Sequence, residues 1–228
     1  MLSAETIHPE GGRYAAPLVM VPGLWTSPEV WRRFAGYLAH RGWESHVVDG
    51  PAEGVAARGA AVAGYAAELA VPPILIGHDA GALVAVEAAA CGPAAAVVLL
   101  APVDPAGVTT RELGLSLGGV LAVILGRPVP LRGDPAAGDP ALLRDLLWHR
   151  WQPPRVAAPL LAVVPEAARR PPFPGVEQRT VPGAERSLLA APSWQATADL
   201  VHRWLVQRLG EPLLQLYPET MAERDDEE

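Results

Sequence analysis

The stretch Gly77-His78-Asp79-Ala80-Gly81 lies between two segments of different character. A short apolar run, Pro73-Ile74-Leu75-Ile76, precedes it, and an alanine-rich segment from Ala82 to Cys91 follows it. The two glycines stand two positions before and two positions after Asp79, where small residues allow the backbone to turn sharply without collision. The pattern predicts a strand, a tight turn with Asp79 at its apex, and a helix.

The segments around this turn repeat the same order of a short apolar run followed by a helical pattern. Strands that are apolar on both faces and alternate with helices indicate a parallel sheet that is covered on both sides. We therefore predict an α/β fold with a mostly parallel sheet flanked by helices. The predicted strands are 18–21, 46–48, 74–76, 95–101, 160–164 and 178–181, and the predicted helices are 29–41, 55–69, 82–90 and 194–209.

The alternation breaks at Pro102. Residues 103–154 contain two or three helical segments between Gly/Pro clusters and no convincing strand, which predicts a helical lid over the cleft. Residues 218–228 end in a run of acidic side chains and are predicted to be a solvated, disordered tail. The 228 residues, half of them hydrophobic, suffice for one well-buried core, so 1–228 is predicted to be a single domain.

Composition excludes several classes of partner. A net charge of −7 without a basic cluster argues against nucleic acid as a ligand. The single cysteine, Cys91, excludes an internal disulfide and a cysteine-rich zinc site, and we expect no metal. The N-terminus lacks the apolar core of a signal peptide, and no apolar stretch is long enough to span a membrane, so we expect a cytoplasmic protein without a membrane partner. All basic residues are arginine, which is typical of a GC-rich bacterial gene.

The pentapeptide around Asp79 and the segment Val21-Pro22-Gly23-Leu24-Trp25 resemble the nucleophile elbow and the oxyanion loop of the α/β-hydrolase superfamily. The resemblance extends over nearly the whole chain and implies the α/β-hydrolase fold. It also implies that the backbone N–H of Ala80 and that of Leu24 or Trp25 converge on a developing oxyanion.

An aspartate at the centre of the elbow resembles haloalkane dehalogenases and epoxide hydrolases. That resemblance implies that the carboxylate of Asp79 attacks carbon to form an ester, which a histidine-activated water then hydrolyses. Arg186 stands where this family has its histidine, and an arginine remains protonated and cannot act as a general base. Asp104 follows the strand at which some members carry the acid of the triad, although an aspartate there also suits a turn cap. The triad is therefore predicted to be degenerate.

Several side chains are candidates for the walls of the cleft. His149 is the histidine of the lid that could reach the cleft, and His78 is expected to pack beside the elbow. The lid tryptophans and the oxyanion-loop tryptophan could form an apolar ligand wall, although core packing is the commoner role for each. The predicted substrate-binding residues are Trp25, His78, Trp148, His149 and Trp151.

Three functions remain open. The first is a cofactor-independent, non-hydrolytic enzyme of bacterial secondary metabolism, such as a cyclase, isomerase, epimerase or lyase, that acts on a hydrophobic small molecule with Asp79 as its acid/base group. The second is a hydrolase of a halide, epoxide, lactone or ester, with Asp79 as nucleophile and an unrecognised base such as His149. The third is a catalytically inert binding or scaffolding protein of the same fold. An ion pair with Arg186 would lower the pKa of Asp79, whereas burial would raise it. The sequence leaves the oligomeric state open, with a homodimer as one alternative.

Overall fold

The fold is an α/β-hydrolase fold built on one large sheet. The computed structural model describes residues 2–24, 28–50, 53–104, 108–111, 113–131, 134–149, 151–166, 173, 176–184, 188–189 and 192–210. The strands are β1 (Ser3–Ile7), β2 (Leu18–Val21), β3 (Ser45–Asp49), β4 (Ile74–His78), β5 (Ala96–Leu100), β6 (Val129–Leu131), β7 (Asp134–Gly138), β8 (Leu160–Pro165) and β9 (Glu177–Val181). The helices are α1 (Pro28–Ala39), α2 (Val55–Glu68), α3 (Gly81–Cys91), α4 (Leu117–Ile124), α5 (Pro140–Trp148) and α6 (Trp194–Leu209).

Seven strands form the main sheet in the order β1-β3-β2-β4-β5-β8-β9. All neighbouring pairs are parallel except β1 with β3, which is antiparallel. The predicted mostly parallel sheet with flanking helices is confirmed. Because the strands run parallel, the carboxyl ends of β4 and β5 meet at one edge of the sheet, directly before Asp79 and Ala101.

Both faces of the sheet are buried, and strand β4 shows why. Ile74 and Ile76 belong to the apolar cluster under α1 and α6, whereas Leu75 between them belongs to the cluster under α2 and α3. Successive side chains of a strand point to opposite faces, so a strand covered on both sides needs a continuous apolar run. We refer to these groups as the α1/α6 cluster and the α2/α3 cluster.

Two features differ from the expectations. The sequence does not predict β1, because Ser3–Ile7 is largely polar and exposed and pairs only at the edge of the sheet. The expectation of no strand within 103–154 is wrong, since β6 and β7 form an antiparallel hairpin there. Both hairpin strands contain proline, which suggests a loop in the sequence but is tolerated in edge strands.

The segment predicted to be a helical lid contains helices α4 and α5. Whether it closes over a bound molecule stays a prediction, and the predicted tail at 218–228 lies outside the described residues. Within the described part of the chain, no helix combines the length and the apolar character needed to cross a membrane.

Candidate active site

Asp79 lies at the apex of the turn between β4 and α3. Its φ of +54° is in the left-handed region, which is uncommon for residues other than glycine and costs conformational energy. The backbone N–H of Asp79 donates to the carbonyl oxygen of Leu100 at 2.9 Å, so strand β5 holds the strained residue in place. The turn projects from the carboxyl edge of the sheet.

Three glycines allow the chain segments around this turn to approach closely. A Cβ atom on Gly77 would lie 2.3 Å from the carbonyl oxygen of Gly81, and one on Gly81 would lie 2.4 Å from that of Val21. A Cβ atom on Gly23 would lie 2.8 Å from the Cβ of Asp79. Real Cβ atoms do not come this close, so glycine is required where the loop after β2 packs against the elbow.

The loop and the helix each direct one backbone amide at the carboxylate of Asp79. The N–H of Leu24 donates to Oδ2 of Asp79 at 3.2 Å, and the N–H of Ala80 also donates to this carboxylate. These two donors, which we call the amide cradle, are those that the resemblance assigned to an oxyanion. In this structure they bind the side chain of Asp79 itself. Trp25, the alternative donor in the loop, lies outside the described residues.

Burial dominates the electrostatics of Asp79. Burial raises the pKa of its carboxyl above the ordinary aspartate value, and the amides of Ala80 and Leu24 oppose that rise. The lowered pKa that a contact with Arg186 would produce is therefore not found. Arg186 itself lies outside the described residues, so its pairing with Asp79 stays a prediction.

His78 packs beside the elbow as a neutral ring. Its side chain is 6% exposed and meets the indole of Trp31 edge to face, with ring centroids 6.4 Å apart. Neither ring nitrogen has a hydrogen-bond partner among the residues that the structure describes. Burial lowers the pKa of His78 to about 4, so the ring is uncharged at neutral pH.

All six histidines of the chain are described, and none of the described hydrogen bonds joins one of them to Asp79. His149 is exposed, and its Nδ1 lies 3.4 Å from Oδ1 of Asp145. Oδ2 of Asp145 accepts from the backbone N–H of Val55 at 2.8 Å, so this pair lies at the start of α2. Trp148, next to His149, is also exposed.

Trp151 lies beside α3, whereas Asp104 follows Val103, whose backbone N–H donates to the carbonyl oxygen of Asp79 at 3.5 Å. The indole N–H of Trp151 donates to Glu87, and its ring contacts Phe173 edge to face. Glu87 is six residues beyond the start of α3, about 9 Å along the helix axis from the elbow. Asp104 is exposed in the segment after β5. Their roles in binding or catalysis stay predictions.

A carboxylate without a predicted role lies at the same edge of the sheet. Glu166 follows β8, and its Oε2 accepts from the backbone N–H of Gly183 at 2.8 Å. It thereby links the carboxyl ends of β8 and β9. The sequence could have indicated Glu166 as a site residue, because it comes directly after a buried parallel strand. Ligands of α/β sheets bind outside the carboxyl ends of such strands.

A described cavity of about 530 Å³ lies at the opposite end of the sheet. Its walls include Leu160 and Glu177, the first residues of β8 and β9, whereas Asp79 follows the last residue of β4. This cavity is therefore separate from the elbow. In the described part of the chain, no group of three or more His, Cys, Asp or Glu side chains is arranged to hold a metal ion.

Comparisons with known proteins show the family to which the chain belongs. Residues 18–224 match the sequence profile of the alpha/beta hydrolase family, and no curated protein matches the chain. The solved monoacylglycerol lipase of Paleococcus ferrophilus is similar with a TM-score of 0.67 and 20% identity, covering 91% of this chain and 99% of that one.

Two further solved structures are similar at the same level. A soluble variant of monoglyceride lipase from Saccharomyces cerevisiae has a TM-score of 0.67 and 12% identity, covering 91% of this chain and 92% of that one. The NocB thioesterase domain has a TM-score of 0.63 and 19% identity, covering 89% and 99%. Similarity at such identities shows the shared fold alone.

Proposed function

The chain belongs to the α/β-hydrolase family, and from that premise we propose that it is a cofactor-independent, non-hydrolytic enzyme with Asp79 as its acid/base group. The observation that supports this most is the state of Asp79, a half-buried carboxylate with a raised pKa whose Oδ2 accepts from the N–H of Leu24. The proposed substrate is a hydrophobic small molecule. The proposed reaction is a cyclisation, isomerisation, epimerisation or elimination.

Proton transfer is the step that these reactions share. The N–H of Leu24 donates to Oδ2 of Asp79, and we assign the proton transfer with the substrate to Oδ1. A raised pKa makes the carboxylate a stronger base than an exposed aspartate and lets its acid form return the proton at a second position. A positioned acid/base group contributes about 10²–10⁴-fold to the rate.

The proposal is tested by proton exchange. The protein is incubated in D₂O with a panel of apolar ketones, β-keto esters and lactones, and deuterium uptake is measured by mass spectrometry. We expect uptake into at least one carbonyl class, and its loss in Asp79→Asn. Asp49→Asn, which removes an exposed carboxylate at the end of β3, is the matched control and should behave like the wild type. Uptake that persists in Asp79→Asn would refute the proposal.

A second candidate is a hydrolase in which Oδ1 of Asp79 attacks carbon. After a halide leaves or an epoxide opens, Oδ2 becomes the carbonyl oxygen of the resulting ester. The N–H of Leu24 already donates to this oxygen, and the amide cradle would stabilise its negative charge when water attacks the ester carbon. The similarity to two lipase structures agrees with a hydrolytic reaction. The missing element is a base, because none of the described histidine contacts reaches Asp79.

The two candidates differ in a measurable product. We expect background turnover of nitrophenyl esters, haloalkanes and epoxides. Turnover that disappears in Asp79→Asn, together with ¹⁸O from labelled water in the peptide that contains Asp79, would establish the second candidate instead. A third class, a binding protein without catalysis, predicts a ligand that co-purifies equally with the wild type and with Asp79→Asn.

A further inference from the structure

Among the described residues, the exposed large hydrophobic side chains are confined to the lid. The five exposed large hydrophobic side chains of the described residues all belong to α4, to the residue after it, or to α5. They are Leu117 at 93%, Leu121 at 55%, Ile124 at 55%, Leu125 at 57% and Trp148 at 50% exposure. We call these five residues the lid apolar face.

Helical spacing places the members on α4 along one stripe. Positions 117, 121, 124 and 125 follow the i, i+4, i+7, i+8 pattern of a single helix face. The opposite side of α4 faces the protein, where Val123 is fully buried in the α2/α3 cluster. The helix is therefore apolar on its exposed side as well as on its buried side, and it contains no polar or charged side chain.

Trp148 on α5 extends this stripe. The guanidinium of Arg144 donates to the carbonyl oxygen of Val123 at 3.3 Å, which fixes this face of α5 beside the end of α4. Trp148 lies one turn after Arg144, on the same side of α5. The lid apolar face thus spans both helices.

The charged side chains of the lid differ in where they lie. Arg111 and Arg127, on either side of α4 in the chain, are exposed, as is Arg144 on α5. Asp104 is exposed at the start of the lid, whereas the carboxylates of Asp139 and Asp145 contact the body of the protein. Asp139 pairs with Arg58 at 3.2 Å, and Asp145 accepts from the N–H of Val55. Among the described side chains, three exposed arginines therefore lie beside the face in a chain whose net charge is −7.

We propose that the lid apolar face docks on an anionic lipid bilayer, with α4 lying in the plane of the interface. An eight-residue helix is about 12 Å long, and five side chains cannot supply the roughly 800 Å² per partner that a standard protein interface buries. Leucines that enter the acyl region, a tryptophan at its edge and arginines beside the headgroups match an interfacial helix. This inference is independent of the reaction proposed for Asp79.

Vesicle co-sedimentation tests the proposal. The wild type should pellet with vesicles of phosphatidylcholine and phosphatidylserine, and less with phosphatidylcholine alone. The double variant Leu121→Asp/Ile124→Asp should reduce the bound fraction at least tenfold. Ala60→Asp/Ala67→Asp adds the same charge to exposed positions of α2 and should bind like the wild type. Thermal unfolding of both variants shows whether the fold is retained.

Two further readouts address a variant that fails to fold. Arg127→Gln should weaken binding to the phosphatidylserine vesicles and leave the weaker binding to phosphatidylcholine unchanged. Brominated lipids should quench tryptophan fluorescence of the wild type more than that of Trp148→Phe. Equal pelleting of the wild type and Leu121→Asp/Ile124→Asp would overturn the proposal. A concentration-dependent dimer that this double variant abolishes, without vesicle binding, would also overturn it and assign the face to a second copy.

Discussion

Asp79 is expected to lower the stability of the protein at neutral pH. Its folded-state pKa is raised, so between the unfolded value near 3.8 and the folded value the folded state binds more protons than the unfolded state. Stability from this group is therefore lost as pH rises through that window. Asp79→Asn removes the charge but keeps an oxygen that can accept from Leu24, and we expect a gain on the order of 1 kcal/mol at pH 7.

Urea denaturation at several pH values checks this gain. The advantage of Asp79→Asn should shrink as pH falls and should disappear below the unfolded pKa, where the wild-type carboxyl is protonated in both states. A variant that is less stable than the wild type at pH 7 would show that burial is not the dominant influence on this carboxylate.

The ionisation of His78 has the opposite effect on the pH dependence of stability. Its pKa is about 4 in the folded state and 6.5 when unfolded, so the unfolded state binds more protons between these values. Stability should rise with pH across this window, by about 3 kcal/mol for this group alone. We expect His78→Leu to flatten the rise. The pH dependence of stability should be compared between Asp79→Asn and the double variant Asp79→Asn/His78→Leu, because Asp79 titrates in an overlapping range. An unchanged slope in the double variant would contradict the lowered pKa.

The sequence predicts the position of Asp79 but not its charge state. The position follows from Gly77 and Gly81, because their spacing is a local property of the chain. The pKa depends on burial and on whether Arg186 comes near the carboxylate, and both depend on tertiary structure. The resemblance likewise predicted the donors at Ala80 and Leu24, but not that they bind the side chain of Asp79.

The contact between helices α2 and α3 depends on one glycine. A Cβ atom on Gly59 would lie 2.4 Å from the Cβ of Glu87, whereas one on Gly64 in the same helix would meet nothing within 4 Å. We expect Gly59→Ala to cost about 1–3 kcal/mol by overpacking. Gly64→Ala should instead gain about 0.5–1 kcal/mol, since alanine is the better helix former. Chemical denaturation of the two variants measures both, and equal effects would mean that the two helices can separate without cost.

Whether the sequence predicts a strand depends on how far that strand is buried in the sheet. Strands β4, β5 and β8 are covered on both faces, so their continuous apolar runs identify them from the sequence. Strand β1 is held by backbone pairing with β3, which leaves little trace in side-chain pattern. The β6–β7 hairpin contains prolines that a central strand would exclude, and nothing in the local sequence distinguishes such a hairpin from a loop.

At the scale of the whole molecule, two apolar clusters share one sheet. Phe34 belongs to the α1/α6 cluster and Leu83 to the α2/α3 cluster, and strands such as β4 contribute side chains to both. Neither cluster can lose its packing without exposing one face of the same strands. We expect Phe34→Ala and Leu83→Ala to destabilise by about 2–5 kcal/mol each. Both should shift one common transition rather than divide it.

Unfolding curves measured with two spectroscopic probes test whether the two clusters unfold together. Far-ultraviolet circular dichroism reports the sheet and helices, and tryptophan fluorescence reports mainly the α1/α6 cluster, which contains Trp31, Trp43 and Trp204. Unfolding curves from the two probes should coincide in the wild type and in both variants. A dichroism transition that separates from fluorescence only in Leu83→Ala would show that the α2/α3 cluster unfolds on its own.

The amide cradle also bears on how this site could evolve. Its donors are main-chain groups of Leu24 and Ala80, so mutations of these residues to any residue other than proline leave the N–H groups in place as long as the backbone keeps its course. Gly23, Gly77 and Gly81 maintain that course through their close approaches. The side chain at position 79, which we propose as the reacting group, is thus encoded separately from the backbone geometry that surrounds it. A lineage can exchange the first through a single codon while it inherits the second unchanged.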